Sequence, residues 1–289
     1  MKKTMLACAL MAATFSVAAK DKLIPLADAD AALLKDKTVA LTVHPRPSFS
    51  AMTAGKASFG LLGAAAMISA GNKLVDENHV QDPAEILRAN LSAALHDIHG
   101  VTVLAPDTAP TKASKPKELA ALHPEADYVL DVRSGGWMYA YYPTKWGTYW
   151  VGYSVQVQLV DTKTGRQVSN AACNAHTRDN ANPPSLDQLH ADQAKLLKAV
   201  TTSLGWTCVQ TLAKDQFHFA PEQVAAIPAE YVNPLAGIQT PVATDTASAA
   251  MPTDAAAAAA PAADTAVKSE GASAPATADG AATGNDGTR

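Results

Sequence analysis

The chain has 289 residues and a formal net charge of −4, and no stretch of it carries the cationic footprint that nucleic-acid binding requires. Hydrophobic residues make up 48% of it, yet from residue 236 onward there is no aromatic side chain, and Ala, Thr, Pro, Asp, Gly and Ser dominate. This excludes two full-sized domains and leaves one folded body between two segments of different character.

Met1, Lys2 and Lys3 form a short basic start, residues 4–17 are an uncharged apolar run, and Val17-Ala18-Ala19 is a small-residue cleavage site before Lys20. The pattern is that of a secretory signal peptide over residues 1–19. Its apolar run is shorter than the ~20 residues a bilayer-spanning helix needs. Met5-Leu6-Ala7-Cys8 loosely matches a lipobox, but Met5 stands where Leu is usual and apolar sequence continues past Cys8. Export to the periplasm as a soluble protein is the favoured expectation, with lipidation of Cys8 the alternative. Residues 20–235 then form one α/β domain. Residues 236–289 read as a disordered tail, too poor in apolar surface to offset its ordering entropy.

Within the domain, a short helix is expected at residues 27–34 and a β-branched strand at 38–43, ended by His44-Pro45-Arg46-Pro47 because proline cannot continue a ladder. Residues 50–75 follow, where Ala51, Gly55, Phe59, Gly63, Met67 and Gly71 recur every four residues and charge is nearly absent. Such spacing gives a helix with a smooth face that another helix can approach closely. Three readings stay open: a buried helix in a tight interface, a self-associating or membrane-touching helix, and a flexible Gly-rich loop. On the second reading Gly55, Phe59, Gly63 and Gly71 are the assembly contacts.

Asp82-Pro83 opens the next helix, with Asp82 as cap and Ile86, Leu87, Leu91, Leu95 and Ile98 as its apolar face, and Gly100 closes it. A strand at 101–104, a Pro/Thr/Ala loop at 105–114 and a short helix at 117–122 lead to the centre of the chain. Seven of the eleven Trp and Tyr residues fall between positions 137 and 150. After them Tyr149, Val151, Tyr153, Val155, Val157 and Leu159 alternate strictly with Trp150, Gly152, Ser154, Gln156 and Gln158. Period-two alternation of that length specifies a half-buried antiparallel strand. With a strand from Asp127, a bulge at Gly135-Gly136, a turn at 161–165 and a return strand at 167–177, the expectation is a three-stranded meander. Asn182-Pro183-Pro184-Ser185 then caps a long helix at about 186–214, with Gly205 a candidate kink. Residues 217–235 are expected to run along the body.

Export leaves Cys173 and Cys208 in an oxidising compartment, where an even count reads as one disulfide. Cys173 lies on the last meander strand, and Cys208 extends the stripe Leu197, Val200, Leu204 on the helix that covers it. In the chain-entropy view a bridge closing that loop contributes about 3–4 kcal/mol.

The element order is therefore β-α-β-α-β-β-β-α. Residues 126–133, Ala-Asp-Tyr-Val-Leu-Asp-Val-Arg, followed by residues 153–165, which end in Val-Asp-Thr-Lys-Thr-Gly, sharpen it. This pair of strands resembles a group of bacterial envelope proteins: the curli-secretion-channel lipoproteins, the amino-terminal domain of the Tol-system propeller protein, and lipoprotein activators of penicillin-binding proteins. The resemblance covers roughly residues 37–213, and Trp137 to Thr144 is also similar to a segment of exported proteobacterial proteins. It implies a role in binding other envelope proteins or in oligomerising rather than catalysis. The sequence departs from the curli-channel pattern in its lipidation signal, and specific partners do not transfer.

Candidate chemistry is sparse. His96 and His99 share a helix face without a third ligand, which is a weak metal motif. His176 and His190 flank the Pro183-Pro184 break near Asp179, Asp187 and Asp192. No nucleophile elbow, phosphate loop or redox motif occurs, so no enzyme activity, metal or cofactor is expected. The aromatic hairpin is the best binding candidate: Trp137, Tyr139 and Tyr141 on one strand face, with Tyr142, Lys145 and Trp146 at the loop. Exposed aromatics anchor contacts because they bury much area with few rotors. The expected function is that of a non-catalytic binding or assembly module contacting an envelope protein, itself or a membrane surface. The alternative is a membrane-associated oligomer assembled through residues 55–71.

Overall fold

The computed structural model describes residues 23–238. The expected signal peptide, Cys8 and nearly all of the tail lie outside the described residues. The strands are β1 (Thr38–Leu41), β2 (Phe49–Met52), β3 (Thr102–Val103), β4 (Tyr128–Tyr142), β5 (Lys145–Asp161) and β6 (Arg166–His176). The helices are α1 (Asp28–Ala32), α2 (Ala54–Ala57), α3 (Gly60–Glu77), α4 (Ala84–His99), α5 (Pro116–Leu122), α6 (Leu186–Asp215) and α7 (Ala229–Val232).

All six strands make one sheet in the order β3-β1-β4-β5-β6, with β2 also on β4. β1 and β2 share one edge of β4, both parallel to it: Val39 faces Tyr128 and, farther along, Phe49 faces Trp137. β4, β5 and β6 form the antiparallel meander that the alternation specifies, with Val132 opposite Val157 and Val155 opposite Cys173. The register shifts between Ser134 and Gly136, placing a bulge at the expected Gly135. A Cβ on Gly135 would stand 2.9 Å from the Ser154 hydroxyl, which would have to turn away to admit it.

One sheet face carries the main core. Tyr149, Val151, Tyr153, Val155, Val157 and Leu159 are all buried there, beneath α4 and α6. The Cys173–Cys208 disulfide ties β6 to α6, with Cα atoms 5.6 Å apart. Ser185 caps α6 in a reciprocal capping box with Gln188, and the left-handed Gly100 ends α4. The other face carries a smaller core of Ala40, Leu119, Ala120, Ala126, Val129 and Val160 under α5, covering only the end of the sheet near the β5–β6 turn.

Two expectations need correction. Gly205 does not kink α6; it lets α6 approach α4, since a Cβ there would lie 2.7 Å from the Pro83 Cβ. The break falls at residues 191–194, where Asp192, Gln193 and Ala194 take left-handed φ of 53–56°. And the segment at 50–75 is not one helix: residues 49–52 are β2, because the exposed edge of β4 needs a ladder partner beyond the end of β1.

Candidate functional site

Because β2 runs parallel to β4 and stops at Met52, opposite Ala140, it delivers α2 and the start of α3 to the end of the sheet that bears the β4–β5 hairpin. α6 begins at the same end, where Tyr149 N–H donates to the Pro184 carbonyl and Thr148 bridges Ser185. Three elements from distant parts of the chain thus lie at the end of the sheet that bears the hairpin.

At the tip, Tyr142 pairs with Lys145 and Tyr141 with Tyr149, so Trp146, Gly147 and Thr148 have no partner on β4, and Trp146 and Gly147 face solvent while Thr148 is buried. Gly147 takes φ +82°, and the Thr148 hydroxyl donates to the Lys145 carbonyl at 2.7 Å, which closes the loop. The loop leaves Trp146 76% exposed, its ring 6.1 Å from that of Tyr141. Lys145 is exposed and Tyr141 and Tyr142 are half-buried; the Tyr142 hydroxyl donates to the Arg178 carbonyl.

Trp137 and Tyr139, expected beside them as contact residues, are core. β2 covers their strand edge: Phe49 packs edge-on against both rings, and the Trp137 indole N–H donates to the Pro47 carbonyl at 3.0 Å. The Tyr139 hydroxyl meets His190 Nε2 at 3.1 Å, and burial raises the pKa of the phenol. Burial also lowers the pKa of His190; Asp187 opposes that shift and Lys56 of α2 adds to it.

The small-residue segment divides in a way its sequence does not announce. Gly63, Met67, Gly71 and Val75 are the inward line of α3. A Cβ at Gly71 would lie 2.1 Å from the Phe49 carbonyl oxygen, and one at Gly63 would lie 1.9 Å from that of Lys56. Gly63 and Gly71, expected as assembly contacts, are thus buried against backbone within the chain. Gly55 has open space around it and Phe59 is 71% exposed. The outward side of α3 is apolar too: Leu61 is 91% exposed, Leu62 81% and Ile68 43%, with Ala64, Ala65 and Ala66 between them. Isolated exposed leucines are ordinary; a contiguous run of them is not.

The histidine pairs come to little. His96 Nδ1 bonds the Val101 carbonyl, while the His99 ring packs against Phe219. His176 points outward with Asn174, whereas His190 lies on the core side with Tyr139. Among the described residues no group of three or more His, Cys, Asp or Glu is arranged to hold a metal ion.

Two features escaped the sequence. Asp131 is a buried carboxylate, bonded by the Thr42 hydroxyl at 2.6 Å, by the Gln158 amide at 2.9 Å and by His44 Nε2. Its partners lie 89, 87 and 27 residues away, so no local pattern marks it. On the outer sheet face Trp150 lies over Gly152, and the Arg178 guanidinium stacks 3.8 Å above the indole. They border a shallow concavity of about 460 Å³ that also takes in Ser154, Asn174 and His176.

No known family matches the chain, and no curated protein does. Solved structures resemble it distantly. The PelC dodecamer from Paraburkholderia phytofirmans is 16% identical with a TM-score of 0.29, over 68% of this chain and 94% of that one. CT253 from Chlamydia trachomatis is 11% identical with a TM-score of 0.32, over 64% and 99%. The C-terminal domain of LpoB from Salmonella enterica is 14% identical with a TM-score of 0.23, over 49% and 83%. Similarity this low transfers no residue, partner or activity. The molecule itself defines a mixed α/β scaffold with an apolar, outward-facing end.

Proposed function

We propose that this protein is an exported, non-catalytic binding or assembly module of the cell envelope, and that it makes its contact through the end of the sheet bearing α2, the start of α3 and the hairpin tip. One observation carries the reading: of nine large hydrophobic side chains exposed among the described residues, five (Phe59, Leu61, Leu62, Ile68 and Trp146) belong to these elements. Exposed large apolar side chains gathered at one end of the sheet mark an interaction surface in a protein that is otherwise well packed. The secretory pattern of residues 1–19 and the disulfide support export to an oxidising compartment.

In-cell photocrosslinking tests the reading. A photoreactive side chain replaces Leu61, Leu62 or Trp146 in turn and, as a control at the opposite end, Leu33, which is 58% exposed. Crosslinked products, protein or lipid, are expected from the first three positions and not from Leu33. Equal yields from both ends, or none from the tip, would remove the basis for the proposal.

A further inference from the structure

Granting that contact surface, we infer that its partner is an anionic bilayer surface, into which Phe59, Leu61, Leu62 and Trp146 insert while Lys56 and Lys145 sit among the headgroups. The inference rests on the contact surface proposed above and adds the identity of what covers it.

Three observations lead there. First, the exposed set has the chemistry of an interfacial anchor: leucines and a phenylalanine to enter the acyl boundary, and a tryptophan suited to the headgroup level. Second, among the described residues no helix is long and apolar enough to cross a membrane. An exposed set of leucines, phenylalanine and tryptophan on a helix that does not span suits contact in the interface plane. Third, the charge on these stretches has one sign. Residues 37–75 and 134–160 contain no Asp or Glu at all. Lys56 and Lys145 are tied in no ion pair among the described residues, and Lys73, farther along α3, pairs with Glu77. The carboxylates Asp179 and Asp187 at this end belong to the β6–α6 side.

This charge pattern separates a lipid surface from a second copy of the chain. A two-fold contact through the patch would gather Lys56 and Lys145 of both copies in one interface with no carboxylate from residues 37–75 or 134–160 to offset them, whereas an anionic headgroup layer neutralises both. Among the described residues the body of the protein leaves this helix face open, because α3 turns Gly63, Met67, Gly71 and Val75 inward.

Vesicle flotation of the purified full chain tests this, using vesicles of phosphatidylcholine alone and of phosphatidylcholine with phosphatidylglycerol. The protein should float with the phosphatidylglycerol vesicles, and half-molar NaCl should weaken this because surface charge is screened. Each of Lys56→Gln and Lys145→Gln should lower the partition about fivefold. Leu61→Asp with Leu62→Asp should abolish it without changing thermal unfolding, since both side chains are in solvent. Equal flotation with phosphatidylcholine alone overturns the role of the lysines. Absence of flotation, with tip crosslinks in cells running to protein, overturns the inference while leaving the contact surface in place. A light-scattering mass above that of a monomer, lost in the Leu61→Asp, Leu62→Asp protein and accompanied by no flotation, overturns it in favour of a second copy.

Discussion

α3 and α4 are helices of similar length, 18 and 16 residues, each packed against the body by a single stripe. α4 buries Leu87, Leu91 and Leu95 and shows Glu85, His96 and Asp97 to solvent, as a surface helix should. α3 buries Gly63, Met67, Gly71 and Val75 and shows Leu61, Leu62, Ala65 and Ile68. The two inward faces differ in kind: leucines fill volume in α4, whereas glycines let α3 rest on backbone. The difference teaches that burial of one face says nothing about the chemistry of the other. Among the described residues α4 shows a polar outer face and α3 an apolar one, and it is the second that the proposed contact would cover.

The largest expected effect comes from the α4 side. α6 clasps α4 at Gly205 and Pro83 and is fastened to β6 by the disulfide. Cys173→Ala with Cys208→Ala should lower stability by about 3–4 kcal/mol in urea unfolding. Hydrogen exchange should lose protection mainly in α6, α4 and β6, while α3, which leans on β2, changes least. A uniform loss that includes α3 would show that the two helices are one cooperative unit.

The α3 side should respond to bulk rather than to its loss. Gly71→Ala places a methyl 2.1 Å from the Phe49 carbonyl oxygen, and backbone cannot swing aside as a side chain can. The expected cost is about 1–3 kcal/mol. Gly55→Ala, where a Cβ meets nothing within 4 Å, should be neutral or stabilise by up to about 1 kcal/mol. If the two alanines behave alike, α3 is not seated on β2 as described.

These contrasts also mark how far the sequence could be read. The meander was legible because period two repeats without error along β5, and the disulfide because its two cysteines fall on a strand and on the helix stripe that covers it. The outward face of α3 was not, because an apolar helix reads the same whether its second side meets protein, lipid or water. Trp137 and Tyr139 were placed at the contact surface because β2 is four residues long, too short for a periodic signal, and it is β2 that seals them in. Trp146 was legible as a loop residue from Pro143 and Gly147 on either side of it. Asp131 was not, since its three partners come from remote positions.

The smallest expected effect lies where the α2–α3 side meets α6, at His190. Its ring bonds the Tyr139 hydroxyl of β4 and faces Asp187 of α6 and Lys56 of α2. Burial lowers its pKa in the folded protein, so the neutral ring is the native form. Above the unfolded value of about 6.5 both states hold the ring neutral and pH has no leverage. As pH falls below that, the unfolded chain takes up a proton that the folded one refuses, and stability declines until the folded pKa is reached. His99, whose pKa burial also lowers, contributes in the same direction. Replacing His190 with glutamine, which keeps a polar partner for Tyr139, should therefore make the decline in unfolding free energy between pH 7 and pH 5 shallower than in the wild type, with His99 accounting for part of what remains. An unchanged slope would mean that water reaches the ring, and that the junction between α2 and α6 is open rather than packed.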